Sequence, residues 1–457
     1  MPKLIIGNNL NDHMVGDPAR VDRVLRELST MFAARLAWLL EDGDVLVAPG
    51  PLAPGMLEYV GSITGLDPET VRVITPPPSP SPQMLSRKLL LSEPLVESVR
   101  DALAGRDDWE LVAFYPEATV IELAMAVGVP VPPAAELFAQ NGADLLNSKV
   151  TFRRLSAGAG LPVPEGSVCS TLVELQSAVA RHIEATGSVL LKQNSNAGCD
   201  GNLAIARDPS RPHPGARLVF PAPADTDELD ALAQRLWNEM TGPMNASLVV
   251  EVYEPSRHSL FAEYRVTADK RPEYLCSGAL RMERAGDPRG GDGELWVGFV
   301  IPAPLRGAEQ PHFITHATSY ADLARTLGYQ GKINIDALVR TDGGIVFNEV
   351  NGRLGGCTHI HELATRLLGE HYANEHVVVT RNHVPATGSE DVLQCLADTG
   401  LAFDPTTRTG LIVLVCESHY SQQIEIMTIA ADRETAVGIE GEFLAALQGV
   451  RPGVAVA

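Results

Sequence analysis

Residues 333–353 read INIDALVRTDGGIVFNEVNGR, and this stretch decides the fold. Two apolar runs flank Thr341-Asp342-Gly343-Gly344, a turn signal that predicts a β-hairpin. Asp336 lies within the first run; Glu349 and Asn351 lie near the end of the second. Glu349 and Asn351 are two residues apart, so they project from one face, and Asp336 can oppose them. Two carboxylates and an amide oxygen are hard donors suited to Mg²⁺. The alternative is the solvent face of an edge hairpin. The neighbouring Ile333, Ile335, Ala337, Leu338, Val346 and Phe347 are apolar, however, and acids within such strands need a partner.

Upstream, residues 189–202 read VLLKQNSNAGCDGN. Lys192 leaves the end of an apolar strand, and a small-residue loop with Gly198 and Gly201 follows. Such a loop brings backbone N–H groups to phosphate oxygens while a lysine adds a point charge. A plain surface hairpin is the competing reading, and the P-loop pattern is absent. Lys149 is predicted on a helix beside Arg153 and Arg154. The chain has only six lysines, Lys3, Lys88, Lys149, Lys192, Lys270 and Lys332, so a lysine in a special context is informative.

Before residue 144 the sequence alternates strand and helix. LIIG, DVLVAPG, VRVIT and WELVAFYP read as buried strands, with a helix announced by Asp17-Pro18 after the first. That pattern predicts an open, mostly parallel α/β sheet. Gly7-Asn8-Asn9 stands where a dinucleotide-binding turn would stand but lacks G-x-G-x-x-G. Further on, helices are expected at Leu172 to Thr186, around Leu229 to Met240, and at His316 to Leu327. SLFAEYRV, EYLCSGALRM and ELWVGFVI alternate as an antiparallel sheet. LIVLVC, IEIMTIA and a closing helix from Arg433 to Leu447 form a small C-terminal α+β unit. The expected division is 1–143, 144–380 and 381–457.

At 457 residues the chain is long enough to bury several cores without staples. Its net charge of −21 opposes binding to nucleic acid or anionic lipid. The first residues are too briefly apolar for a signal peptide, and no run is long enough to span a bilayer, which predicts a cytoplasmic protein. Six dispersed cysteines without a C-x-x-C pair read as reduced, mostly buried thiols. Cys357, His359 and His361 crowd one short span, but tetrahedral zinc needs a fourth donor. The favoured reading there is a loop entering a helix, with a histidine facing the substrate. No serine-elbow motif is present.

Taken in order, Lys149, Lys192 with its loop, the Glu251-Val252-Tyr253-Glu254-Pro255 hinge, and the closing Asp336…Glu349-x-Asn351-x-Arg353-x-x-Gly356 resemble an ATP-grasp domain. The resemblance runs from about Asn147 to Gly369, and the preceding unit is similar to the pre-ATP-grasp domain of that superfamily. The layout with a small C-terminal unit most resembles the pheganomycin-type peptide ligases. That resemblance implies an α/β chain: an ATP-grasp fold preceded by an open parallel-sheet pre-ATP-grasp domain.

The resemblance implies roles as well. Lys149 and Lys192 would contact phosphates, and Gly198 to Gly201 would cover them. Backbone groups of Val252 and Tyr253, in the hinge Glu251 to Glu254, would lie near adenine. Glu254 or His258 would hold the ribose, and Glu263 would be the acid on the strand after the hinge. Asp336, Glu349 and Asn351 would bind Mg²⁺, for which Mn²⁺ can substitute. Arg353 would sit beside an acyl-phosphate, with Arg281 as a second candidate. The implied activity is an ADP-forming ligase of antibiotic-type peptide biosynthesis. It would join a small, guanidino-containing acid to the amine of a peptide. Other readings are an L-amino-acid dipeptide ligase, an acyl-phosphate kinase and a non-catalytic ATP-binding protein. A homo-oligomer is compatible with all of them. The chain departs from the superfamily pattern in its Asn- and Cys-bearing phosphate loop and in the polar turn at Gly7.

Overall fold

The computed structural model describes residues 1–15, 21, 23–196, 201–242, 246–284, 294–386, 388–417 and 420–449. Asp17-Pro18 and Gly198 lie outside the described residues. The first unit is a four-stranded, wholly parallel sheet in the order Arg72–Ile74, Val45–Val47, Lys3–Ile6, Glu110–Ala113. Its two central strands are short apolar runs buried under helices on both faces, while the edge strands Arg72–Ile74 and Glu110–Ala113 are half-buried and begin with an exposed charge.

The second unit opens with the helix Lys149–Ala159, capped by Ser148, and a five-stranded sheet. Leu172–Thr186 forms over the expected span because both ends are written locally. Thr171 and Glu174 make a reciprocal capping box, and Gly187 closes the helix at φ 81°. The helix before the hinge starts earlier than its apolar pattern, at Thr226, because the Asp225 side chain accepts from Asp227 and Glu228 N–H. Likewise Glu309–Thr326 begins ahead of His316, in a polar first turn containing Pro311 that carries no apolar period. Four strands, Gly166–Cys169, Asn202–Ala206, Leu218–Pro221 and Val377–Pro385, are additions to the expected set.

The central sheet has eight strands, beginning Ile345–Asn351, Gly331–Arg340, Ser256–Val266, Glu273–Arg284 and Glu294–Ile301. Val377–Pro385, Gln423–Ala430 and Gly410–Glu417 then continue it on the same hydrogen-bonded ladder. The expected boundary at residue 380 therefore falls inside a strand, and the C-terminal α+β unit is built onto the central sheet rather than beside it. No helix among the described residues is long and apolar enough to cross a membrane.

The first unit is pinned to these last strands. Trp38 Nε1 donates to Leu414 O at 2.5 Å, and Arg35 Nε donates to Glu425 Oε2 at 2.6 Å. Burial alone would raise the Glu425 carboxyl; the Arg35 guanidinium, with His359 alongside, overrides it and holds Glu425 at about 2. A depressed carboxyl contributes stability above its unfolded value, and that contribution is lost as pH falls through the folded value. Arg35→Met is expected to cost about 3–5 kcal/mol at neutral pH, because it strands a buried charge. Denaturant unfolding checks this, and the penalty should shrink as pH falls from about 4.5 toward 2.

Candidate active site

The hairpin predicted from sequence forms, with Gly331–Arg340 antiparallel to Ile345–Asn351. Asp336 pairs directly with Glu349, and Asn334 pairs with Asn351. All project from one face of the sheet, and Asn351 Nδ2 donates to Asp336 Oδ2 at 3.2 Å. Burial, and then the adjacent Glu349, push the Asp336 carboxyl up to about 7. Arg353, Lys149 and Lys192 oppose that rise. Two carboxylates converging where one is too crowded to ionise at its usual pH are a donor set that a divalent cation relieves.

Cations converge on this face. Lys149, at the first turn of its helix, lies 3.4 Å from Glu349 Oε1 and donates to Asn196 O at 2.9 Å. Its own backbone N–H bonds Asn194 O, so the segment after the strand Ser188–Gln193 and the helix start are held together. Lys192 is buried and bonds Glu251 Oε2 at 2.6 Å; Arg153 holds the other oxygen of Glu251 at 3.1 Å. Gly201 closes the strand end, where a Cβ would lie 2.5 Å from Gln193 Oε1 and 2.9 Å from Asn196 Cβ, so a side chain there would have to displace both neighbours. Arg353 donates to Asn351 Oδ1 and to Leu354 O, both at 3.0 Å, and burial lowers its pKa.

The hinge is present, with less freedom than expected. Val252 N–H donates to Glu165 O and Tyr253 N–H to Ser188 O, so neither amide can serve a base without giving up that bond. Glu254 sits 4.0 Å from Arg340, and burial raises its pKa. His258 is the third residue of the next strand, Ser256–Val266, where burial lowers its pKa and favours the neutral ring.

Two expected residues are elsewhere. Arg281 is clamped by both oxygens of Glu440 at 2.6 and 2.8 Å and by Thr380 O, so it braces the closing helix and does not join the acyl site. Glu263 lies on the expected strand but is sealed under the helix Thr358–Leu368, accepting from Thr358 Oγ1. The histidines after Arg353, expected to face a substrate, turn into the interior instead. His359 turns to Glu425, and His361 bonds Tyr372 at 3.2 Å.

Beside Asn351 and Arg353 opens a cleft of about 270 Å³, lined also by His13, Tyr115, Asp144 and Asn196. Asp144 accepts from Tyr115 OH at 2.6 Å and contacts His13 Nδ1 at 3.0 Å. His13 Nε2 lies 3.6 Å from Glu117, which Asn8 holds at 2.8 Å. Burial pushes Glu117 up to about 7, and the hydrogen bond to Asp144 raises His13. Sequence reasoning missed this network. His13 and Asp144 are 131 residues apart, and its only local trace was the polar turn at Gly7-Asn8-Asn9.

Comparison with known proteins agrees with this architecture. Residues 33–129 match the Pre ATP-grasp domain family, and residues 391–442 match the PGM1 C-terminal domain family. The chain is 25% identical over 217 residues to the [butirosin acyl-carrier protein]–L-glutamate ligase of Niallia circulans. That match spans 47% of this chain and 45%, about half, of the relative. Among solved structures, biotin carboxylase from Campylobacter jejuni superposes with a TM-score of 0.55 at 13% identity, covering 97% of this chain and 91% of the other. An L-amino acid ligase from Bacillus licheniformis gives 0.50 at 15%, covering 97% of both chains. The fold is thus ATP-grasp, with a pre-ATP-grasp domain before it and a C-terminal α+β unit after it.

Proposed function

We propose that this chain is an ADP-forming carboxylate–amine ligase working through an acyl-phosphate, with ATP and Mg²⁺ as its cosubstrate and cofactor. The observation that carries the reading is the convergence of Lys149, Asp336, Glu349, Asn351 and Arg353 beside the cleft lined by His13 and Asp144, with Glu117 buried behind His13. Asp336, Glu349 and Asn351 would hold Mg²⁺, which supplies charge neutralisation between the β- and γ-phosphates when bound. Lys149 and Lys192 would stabilise phosphate charge as it grows.

In the first step a substrate carboxylate oxygen attacks the γ-phosphorus. The bond from that phosphorus to the bridging oxygen breaks, and ADP leaves. Arg353, at the cleft wall, would steady the acyl-phosphate oxygens. An amine nitrogen then attacks the carbonyl carbon, the C–O bond to phosphate breaks, and phosphate departs. The amine proton passes into the cleft network, where Glu117, with an affinity near neutral pH, suits its acceptance.

The same carboxylates favour a substrate that brings positive charge, which fits a guanidino-bearing acid and a peptide amine of the pheganomycin-type reaction. The small volume of the cleft favours a second reading, in which the amine belongs to a single amino acid. A nucleotide-product assay with Mg²⁺, ATP, hydroxylamine and a panel of cationic and neutral acids tests both. The expected result is ADP, phosphate and a hydroxamate, formed preferentially from cationic acids. AMP with pyrophosphate would overturn the acyl-phosphate route, and equal use of neutral acids would remove the cleft from substrate selection. Replacing hydroxylamine by amino acids and by short peptides then separates the two amines.

A further inference from the structure

On the same face of the central sheet as Asp336 and Asn334, but deeper, where the helix Thr358–Leu368 covers it, one acidic and two soft donors meet in the interior. The Glu263 carboxylate, the Cys276 thiol and the Cys357 thiol have ligand atoms all within 4.8 Å of one another. They come from two adjacent strands and from the residue that caps the helix. Glu263 is 0% exposed, Cys276 4% and Cys357 1%, so water does not explain the grouping. His361, one turn beyond Cys357, interacts with the Cys276 thiol from outside that 4.8 Å group and would complete the set by a side-chain shift; its Nδ1 contacts Tyr372 OH at 3.2 Å. That arrangement leaves Nε2 as the ring donor and supplies the outer hydrogen bond that metal-binding histidines use.

Charge is the second observation. Glu263 Oε1 takes hydrogen bonds from Asn334 Nδ2 at 3.5 Å and from Thr358 Oγ1, while Glu263 Oε2 has no partner. Among the described residues no lysine or arginine forms an ion pair with it. A sealed carboxylate with one bare oxygen and no cation is costly unless a positive charge occupies the space beside it. A disulfide between the cysteines would not provide that charge.

We propose that Glu263, Cys276, Cys357 and His361 form a closed structural zinc site, distinct from the hard-oxygen site at Asp336 and Glu349. Two sulfurs, one nitrogen and one oxygen match zinc in tetrahedral coordination and disfavour Mg²⁺. On binding, the two thiol protons leave to solvent and the thiolates ligate, and no redox change occurs. The sequence showed only Cys357, His359 and His361. The fold sends His359 away to Glu425 and brings Cys276 and Glu263 in from the sheet. Such a site would rivet the helix start to the sheet four residues after Arg353. There the loop is already pressed so close that a Cβ on Gly355 would lie 2.2 Å from Asn334 Nδ2.

The test uses the full chain, purified without chelator and washed free of loose metal, with zinc measured by mass spectrometry. Wild-type protein should carry stoichiometric zinc. Cys276→Ser and Cys357→Ser should lower the content at least about tenfold, while Cys395→Ser and Glu349→Gln leave it unchanged. Cobalt(II) added to zinc-stripped wild type should give thiolate-to-metal charge-transfer bands and the visible bands of a tetrahedral ion. Should the cysteine variants not fold, that spectrum decides alone. Zinc-free wild type without thiolate–cobalt bands overturns the site, and so does an intramolecular Cys276–Cys357 disulfide in the protein as isolated. Zinc loss in Glu349→Gln would assign the metal to the hairpin instead.

Discussion

Glu349→Gln is expected to lower ADP formation by on the order of 10³-fold while leaving the fold intact. The side chains have the same shape, so packing is preserved; charge is what disappears. Glu349 faces Asp336 across the hairpin and Lys149 at 3.4 Å, and in the glutamine variant neither the lysine nor a divalent cation finds its carboxylate. Asp336 alone is a poor replacement, since burial already pushes its carboxyl up to about 7. Steady-state ADP release, with thermal unfolding as the control on folding, checks this. Turnover within tenfold of wild type would remove Glu349 from the metal site.

Arg353→Ala is expected to cost about 10²–10³-fold in kcat, with the KM for ATP nearly unchanged. Arg353 stands past the proposed metal ligands at the wall of the 270 Å³ cleft, so on the proposed reading its charge would meet the acyl-phosphate rather than the adenosine. It also holds Asn351 Oδ1 and Leu354 O at once. Arg353→Lys should therefore recover only part of the loss, because one ammonium cannot reproduce a planar fork. A raised KM for ATP with normal kcat would move Arg353 to the nucleotide end of the site.

The hairpin was legible because turn chemistry and alternation are local: Asp342-Gly343-Gly344 and the Glu349–Asn351 spacing specify register without help from the rest of the chain. Lys149 and Lys192 were legible through their scarcity and their places at a helix start and a strand end. What escaped was long-range. Arg281 looked catalytic until Glu440, 159 residues away, was found to neutralise it. The His13–Asp144 contact and the approach of Cys276 to Cys357 likewise depend on which elements the topology brings together. Short strands such as Leu218–Pro221 carry too few residues for any period to show. Val377–Pro385 was hidden differently, at an assumed boundary between units.

That continuous ladder has a meaning for biosynthesis on the ribosome. The five strands that carry the catalytic face end with Glu294–Ile301, whose outer neighbour is Val377–Pro385; this in turn needs Gln423–Ala430 before its far edge is paired. Until Gln423–Ala430 is available, Val377–Pro385 would stand as an unpaired edge strand, the feature most prone to pair with another chain. A terminator codon introduced just after residue 385 would thus not release a compact, truncated enzyme. It would fix the nascent chain at its stickiest moment, so loss of the last strands should register as aggregation during synthesis before it registers as lost turnover.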